Sequence, residues 1–373
     1  MPDQTVHSQR TTDHTHTVIG VVGDAPTARA VRNALNATAI AEHVMTAHRF
    51  AGFDAVVVAA YSADFGTRQL RDAETRAHDL RDRAFRDVYD AAVCGVERIV
   101  ILSSAMMYGT SLHHPSTPPD TTRHPVLPPQ QRTDTRYEDT SPIAPPVTGF
   151  AGDIAIYEEA FTQAYESLPQ GIARPRVTIL RPAALAGGDT DTLVTRHFEA
   201  PRLLVIKGVP RRWQFCHVDD LAAAVSAAVE HRLDGALTVG AVTRDAQGHH
   251  PDEATSSDVA RRSGHRLIEL SEAAAFGTAE RLHRVGVLPA PSSDLSFAVY
   301  PWVVYPQRLL DVGWRPRYTT LDCVDTITAQ VRGRLGVGGR RFAGRDAAAL
   351  GAAGAAVAAL ATAAIWKQAR GGR

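Results

Sequence analysis

The chain has 373 residues, 44% apolar and 21% charged, enough to bury a sizeable core in one large domain or two ordinary ones. Basic and acidic residues number 40 each, so the net charge is zero and a global electrostatic grip on nucleic acid is excluded. Three widely separated cysteines, Cys94, Cys216 and Cys323, give neither a zinc knuckle nor a disulfide framework and fit a reducing, cytoplasmic setting.

Residues 1–16 are polar and lack an apolar stretch, which predicts a disordered arm and no secretory leader. His14 and His16 in this arm are read as solvated, and no metal site is expected. The apolar run Thr17–Val22 predicts a buried parallel strand, and Ala25–Leu35 a helix with Ala28, Val31 and Leu35 on one face. Phe53–Ala60 predicts a second strand. Gln69–Cys94 predicts a long helix with an inner stripe from Leu70 through Leu80, Ala84 and Val88 to Ala91. Arg98–Ser103 predicts a third strand. This alternation implies an α/β fold, a parallel sheet with helices on both faces.

His113–Thr148 holds nine of the 22 prolines and reads as an irregular insert. Beyond it, Gly149–Leu168 predicts a helix, Arg176–Leu180 a strand, Gln214–Val218 a short strand and Asp219–Val229 a helix. Ala236–Val239 predicts another strand, residues 244–296 short helices among polar loops, and Thr320–Val331 a helix after the turn Val312–Tyr318. Ala347–Trp366 is twenty residues without a charge, twelve of them alanine. At about 1.5 Å per residue this tail is long enough for a hydrocarbon layer, and it is read as a membrane contact with an alanine-rich packing helix as the alternative. It would attach an otherwise cytoplasmic protein to the membrane.

Four segments in order resemble the extended short-chain dehydrogenase/reductase family, in its NAD-dependent epimerase/dehydratase branch, with UDP-glucose 4-epimerase-like proteins the nearer relatives. Arg98–Gly109 (RIVILSSAMMYG) is similar to the strand that ends in the catalytic serine, and Arg176–Pro182 (RVTILRP) to the strand ahead of the substrate domain. Trp213–Leu221 (WQFCHVDDL) and Asp311–Pro316 (DVGWRP) are similar to two later signatures. The resemblance implies a Rossmann-like doubly wound sheet over 17–180 that carries the 113–148 insert. It further implies remaining sheet elements and a small substrate-type domain over 181–335, then a basic linker and apolar tail helix over 336–373. It also implies NAD(P) as cofactor, held near Gly23, Ala59, Ala60 and Ser103, and a nucleotide-sugar met by Arg211, Arg212, Gln214 and His217. Ser104 would be the catalytic serine. A homodimer is left open.

The residues depart from that pattern in three places. The glycine positions of the first turn become Val22, Ala25 and Ala28, where side chains crowd a dinucleotide, and Pro26 removes an N–H donor. Only Asn36–Gly52 separates the first helix from the strand at Phe53, so the sheet is expected to be shortened there. Glu42 is the sole acidic residue available for the ribose. The family's tyrosine with a lysine four residues on becomes Phe150 and Ile154. The chain has only two lysines, Lys207 and Lys367, and neither follows a tyrosine at that spacing. Ala184 stands where a substrate-binding asparagine is common. Tyr157 is read as a core aromatic, His217 as structural, and Asp219 and Asp220 as a helix cap. The expected function is therefore an epimerase/dehydratase-like protein that is catalytically degenerate and acts by binding. An active enzyme with another residue set is the alternative.

Overall fold

The computed structural model describes residues 17–41, 48–60, 72–110, 136–139, 141, 143–144, 148–200, 202–284, 291–332, 335–337 and 340–342. The N-terminal arm, Glu42, most of the insert and the apolar tail, with its membrane reading, lie outside these residues. Among the described residues no helix is long and apolar enough to cross a membrane.

The first half alternates strand and helix: β1 (Ile19–Val22), α1 (Pro26–Leu35), β2 (Thr38–Ile40), β3 (Ala55–Ala59), α2 (Ala73–Val93), β4 (Arg98–Leu102), β5 (Arg136–Tyr137), α3 (Gly149–Glu166) and β6 (Arg176–Pro182). There follow β7 (Ala184–Ala186), α4 (Leu193–Glu199), β8 (Arg202–Ile206), β9 (Arg212–Trp213), β10 (Phe215–His217), α5 (Val218–Glu230) and β11 (Gly235–Val239). Six strands form one parallel sheet in the order β2-β1-β3-β4-β6-β11.

Side chains alternate across that sheet, as a strand's period of two requires. Val21, Val57, Val100 and Leu180 point to the face covered by α1 and α5. Val56, Val58, Ile99 and Ile101 point to the face covered by α2 and α3. The stripe Leu80, Ala84, Val88 and Ala91 of α2 is buried there, with Ile154, Tyr157 and Phe161 of α3. Tyr157 is thus a core aromatic, as its spacing indicates.

One expectation needs correction. Sequence patterning gives no strand between the first helix and Phe53, yet β2 lies there, parallel to β1. Its three residues, Thr-Ala-Ile, form no apolar run, and Asn36 in a left-handed conformation turns the chain into it directly from α1. The sheet is still short on this edge, because β2 is its outermost strand.

The remaining elements are β12 (Val242–Asp245), β13 (Gly248–Pro251), β14 (Ala254–Thr255), α6 (Ser256–Ser263), β15 (Arg266–Leu270), α7 (Glu272–Arg284), α8 (Ser292–Val299), β16 (Val303–Val304), α9 (Gln307–Asp311) and α10 (Thr320–Val331). Several of them pair with earlier strands in small two-stranded sheets: β15 with β8, β14 with β9, and β16 with β5. Asp139 fastens the return from the insert by accepting from the Thr238 backbone N–H at 2.6 Å and from the Thr238 hydroxyl at 3.0 Å.

Candidate functional site

In an open parallel sheet, ligands bind in the crevice at the carboxyl ends of the strands where the chain order reverses. Here that point lies beside β1, whose neighbours are β2 and β3. A cavity opens at these strand ends. Ala25, Pro26 and Thr27 at the start of α1 form one wall, and Ser103, Ser104 and Met106 after β4 another. Phe150, Pro182–Leu185, Asp191–Val194 and Trp302 complete it.

The start of α3 is fixed by a residue that sequence patterning does not reveal. Both Asp294 carboxylate oxygens accept from the Phe150 backbone N–H, at 3.1 Å each. Gly149 makes room for them at φ +85°, since a Cβ there would stand 2.1 Å from Asp294 Oδ1. This cap sets the Phe150 ring against the cavity. Ile154, one turn later, is fully buried in the core between α2 and α3 and does not line the cavity.

The two serines after β4 divide their roles. Ser103 donates to Glu158 Oε1, and Glu158 accepts from Arg181 Nη2 at 2.6 Å, all three side chains being buried. Glu158 and Arg181 therefore tie α3 to β6 beneath the site. Ser104 accepts from the Met106 N–H at 3.2 Å and so caps the short 3-10 turn Ala105–Tyr108. Ser104 also lines the cavity.

The backbone positions expected around a dinucleotide are engaged within the protein. Gly23 donates to Ile40 O at 3.0 Å, and its carbonyl faces Arg32 Nη1 at 3.4 Å. Ala59 O accepts from Arg83 at 2.8 Å, and Ala60 donates to Leu102 O at 2.8 Å. The Asp24 carboxylate, paired with Arg32 at 3.1 Å, stands in the turn where a pyrophosphate would lie. The cavity holds about 40 Å³, against roughly 300–1,000 Å³ for ordinary ligand pockets. Pro26 has no N–H to offer at the start of α1. Among the described residues, Ala25, Pro26 and Thr27 thus crowd the start of α1, where a pyrophosphate would lie.

The expected substrate residues are dispersed. Arg211 is buried, contrary to a diphosphate-binding role: its guanidinium donates to Tyr300 O and to Phe297 O at 3.2 Å and lies 4.3 Å from the Trp213 ring centre. Burial alone lowers its pKa to about 9. Arg212 is exposed on β9. Gln214 is an internal staple, donating to Ala241 O and Val304 O and accepting from the Val304 N–H at 2.8 Å. His217 caps α5 by accepting from the Asp219 N–H at 3.2 Å and stacks on Tyr318 with ring centres 3.7 Å apart. Burial holds its pKa below the usual range. The cap is thus His217, where the sequence reading assigns Asp219 and Asp220. Asp220 instead accepts from the backbone N–H groups of Arg317 and Tyr318. Ala184 lines the cavity. Among the described residues no group of three His, Cys, Asp or Glu could hold a metal ion.

No family model and no curated protein matches this sequence. Solved structures match its fold. MoeE5 in complex with UDP-glucose and NAD is 14% identical, with a TM-score of 0.55 over 84% of this chain and 98% of that one. The UDP-N-acetylglucosamine 4-epimerase from Bacillus cereus is 13% identical, with a TM-score of 0.52 over 85% of this chain and 100% of that one. DesIV, a dTDP-glucose 4,6-dehydratase from Streptomyces venezuelae with NAD and TYD bound, is 12% identical, with a TM-score of 0.54 over 84% of this chain and 96% of that one. The chain therefore has the Rossmann-like fold of epimerase/dehydratase-type short-chain dehydrogenase/reductase structures.

Proposed function

We propose that this chain is a catalytically degenerate relative of the nucleotide-sugar epimerases and dehydratases, which binds a ligand in the old crevice without transferring hydride. The observation that carries this reading is Phe150 at the cavity wall with Ile154 sealed in the core behind it. Proton transfer by the family's usual route needs a phenol there, and a neighbouring ammonium to lower its pKa. Neither side chain can supply a proton or a positive charge. The crowded, small cavity at the start of α1 supports the same reading.

The walls suit a small, weakly polar group. Met106, Phe150, Leu185, Val194 and Trp302 are apolar, and Ser104 offers a hydroxyl. Neighbouring folds hold UDP-glucose and UDP-glucuronic acid, so a nucleotide-sugar is the ligand class proposed, with only an edge of its sugar entering the small cavity at Ser104 and its diphosphate and nucleoside lying outside it. Arg212, the exposed member of the arginine pair, would be the residue left for a diphosphate. The test is calorimetric titration with UDP-glucose and with NAD, alongside an assay for NADH formation. UDP-glucose binding weakened by Ser104→Ala, with neither NAD binding nor NADH formed, is the expected result. NAD that co-purifies, or turnover lost in Ser104→Ala, would favour an active enzyme with a different residue set.

We also propose that the chain pairs with a second copy through α2. Phe85, Tyr89 and Val93, each one turn apart, are 45%, 56% and 41% exposed on an otherwise charged helix. An antiparallel crossing centred on Tyr89 would set Phe85 against the second copy's Val93, so the stripe could bury itself against its own copy about a two-fold axis.

A further inference from the structure

A second cavity, about 280 Å³, shares Met106 with the crevice but opens over the outer face of α3. Ala151 and Ala155 form its floor, and Glu159 and Thr162 stand at its exposed rim. These positions recur every three or four residues, so they lie along one side of the helix. At about 1.5 Å per residue, Ala151 and Glu159 are roughly 12 Å apart. Met106, Met107 and Phe297 form apolar walls. Methionine walls adapt to the shape of an apolar body.

The polar groups sort by charge. Glu158 lines the cavity, but Arg181 and Ser103 already satisfy its carboxylate. Glu159 is exposed, and among the described residues its carboxylate accepts a single neutral 3.3 Å hydrogen bond, from Gln163. Among the described residues no lysine or arginine lines this cavity. A phosphate or carboxylate would therefore meet the Glu159 charge with no lysine or arginine among the described lining residues to offset it. An ammonium would meet an acceptor at the open end. The apolar area available to a ligand body lies one to two turns away, toward Ala155 and Ala151.

We propose that this cavity is a second ligand site, which takes a primary amine carrying an apolar aliphatic or aromatic body, with the ammonium at Glu159 and the body between α3 and the Met106–Met107 wall. The site is separate from the nucleotide-sugar reading, because it uses neither Ser104 nor Arg212 and repels the diphosphate that such a ligand carries.

The test uses the full chain and three isosteric probes, phenylbutylamine, phenylbutanol and phenylbutyrate, followed by ligand-observed NMR and calorimetry. The amine should bind about tenfold tighter than the carboxylate, with the alcohol between them, since a solvent-exposed charge contributes modestly in each direction. Glu159→Gln should bring the amine to the level of the alcohol. Thr162→Trp, at the exposed rim, should block all three, and Ala155→Leu should do the same from the floor. Circular dichroism of each variant checks that it is folded. Equal binding of amine and carboxylate, no binding of any probe, or amine binding indifferent to both Glu159→Gln and Thr162→Trp would overturn the proposal.

Discussion

The Tyr157 hydroxyl donates to Asp87 Oδ2 at 2.6 Å, joining α3 to α2 inside the core. Asp87 also accepts from Arg49 Nη2 at 2.5 Å, and Arg49 Nε bonds Asp90 at the same distance. Burial pushes the Asp87 carboxyl up, while Arg49, Arg83 and the Tyr157 hydroxyl pull it down. Removing one partner of a buried ion pair leaves the other charge uncompensated. Asp87→Ala should therefore lower stability by about 3–5 kcal/mol. Tyr157→Phe removes one hydrogen bond and should cost about 1–2 kcal/mol. Urea unfolding of both variants measures the difference. Equal, small effects would mean that the cluster is not stabilising as a unit.

A second expectation concerns pH. Burial, with Arg211 and His265 nearby, lowers the His197 pKa from 6.5 to about 4. Its Nε2 is sealed from solvent without a hydrogen-bond partner. A histidine lowered on folding stabilises the native state fully above the unfolded pKa. That stability is lost as pH falls from about 6.5 toward 4, because the unfolded chain takes up the proton first. Between pH 7.5 and 5 this linkage amounts to about 2 kcal/mol. His197→Phe should lose that much less stability over the interval than the parent chain, measured by urea unfolding at both pH values. Parallel losses in the two proteins would place the pH dependence elsewhere.

The surface of α2 makes a third prediction. Tyr89 is the midpoint of the exposed apolar stripe and the most exposed of its three residues. Tyr89→Glu would put two like charges face to face at the centre of a two-fold contact. Multi-angle light scattering should give twice the chain mass for the parent and the single mass for the variant, with circular dichroism unchanged. A parent chain that runs as a monomer across the concentration range would remove the contact.

How much of this was legible in the sequence depends on how local each signal is. β1, β3 and β4 declare themselves because a strand buried on both faces reads as an unbroken apolar run. The loss of the tyrosine and lysine is equally plain, because two residue types at one spacing are either present or absent. β2 was hidden by its brevity. Asp294 could not be found, since it caps Phe150 from 144 positions away with no pattern linking the two. Arg211 misled because adjacent arginines look like a phosphate clamp. Only the packing of Trp213 and the end of α8 against it shows that its guanidinium is enclosed.

The last prediction tests the degenerate site directly. Ile154 has 0% exposure and packs among Tyr157, Phe161 and the strand residues behind the sheet. Ile154→Lys would bury an ammonium in that seam, where the nearby carboxylates, Asp87 on α2 and Glu158 one turn on, already hold Arg49 and Arg181. A buried unpaired charge of this kind costs about 3–5 kcal/mol. Phe150→Tyr should be far milder, because the Phe150 ring lies at the cavity wall and its hydroxyl would reach the open space. The pair Phe150→Tyr and Ile154→Lys restores the residue types of the usual mechanism on paper. It should nevertheless yield neither NAD binding nor NADH, since Pro26 and the narrow crevice still oppose the dinucleotide. Urea unfolding of each single variant and a fluorescence titration of the double variant with NADH make the measurement. A stable Ile154→Lys protein whose double variant binds NADH would mean that position 154 reaches the cofactor site, and that only two side chains separate this chain from an active enzyme.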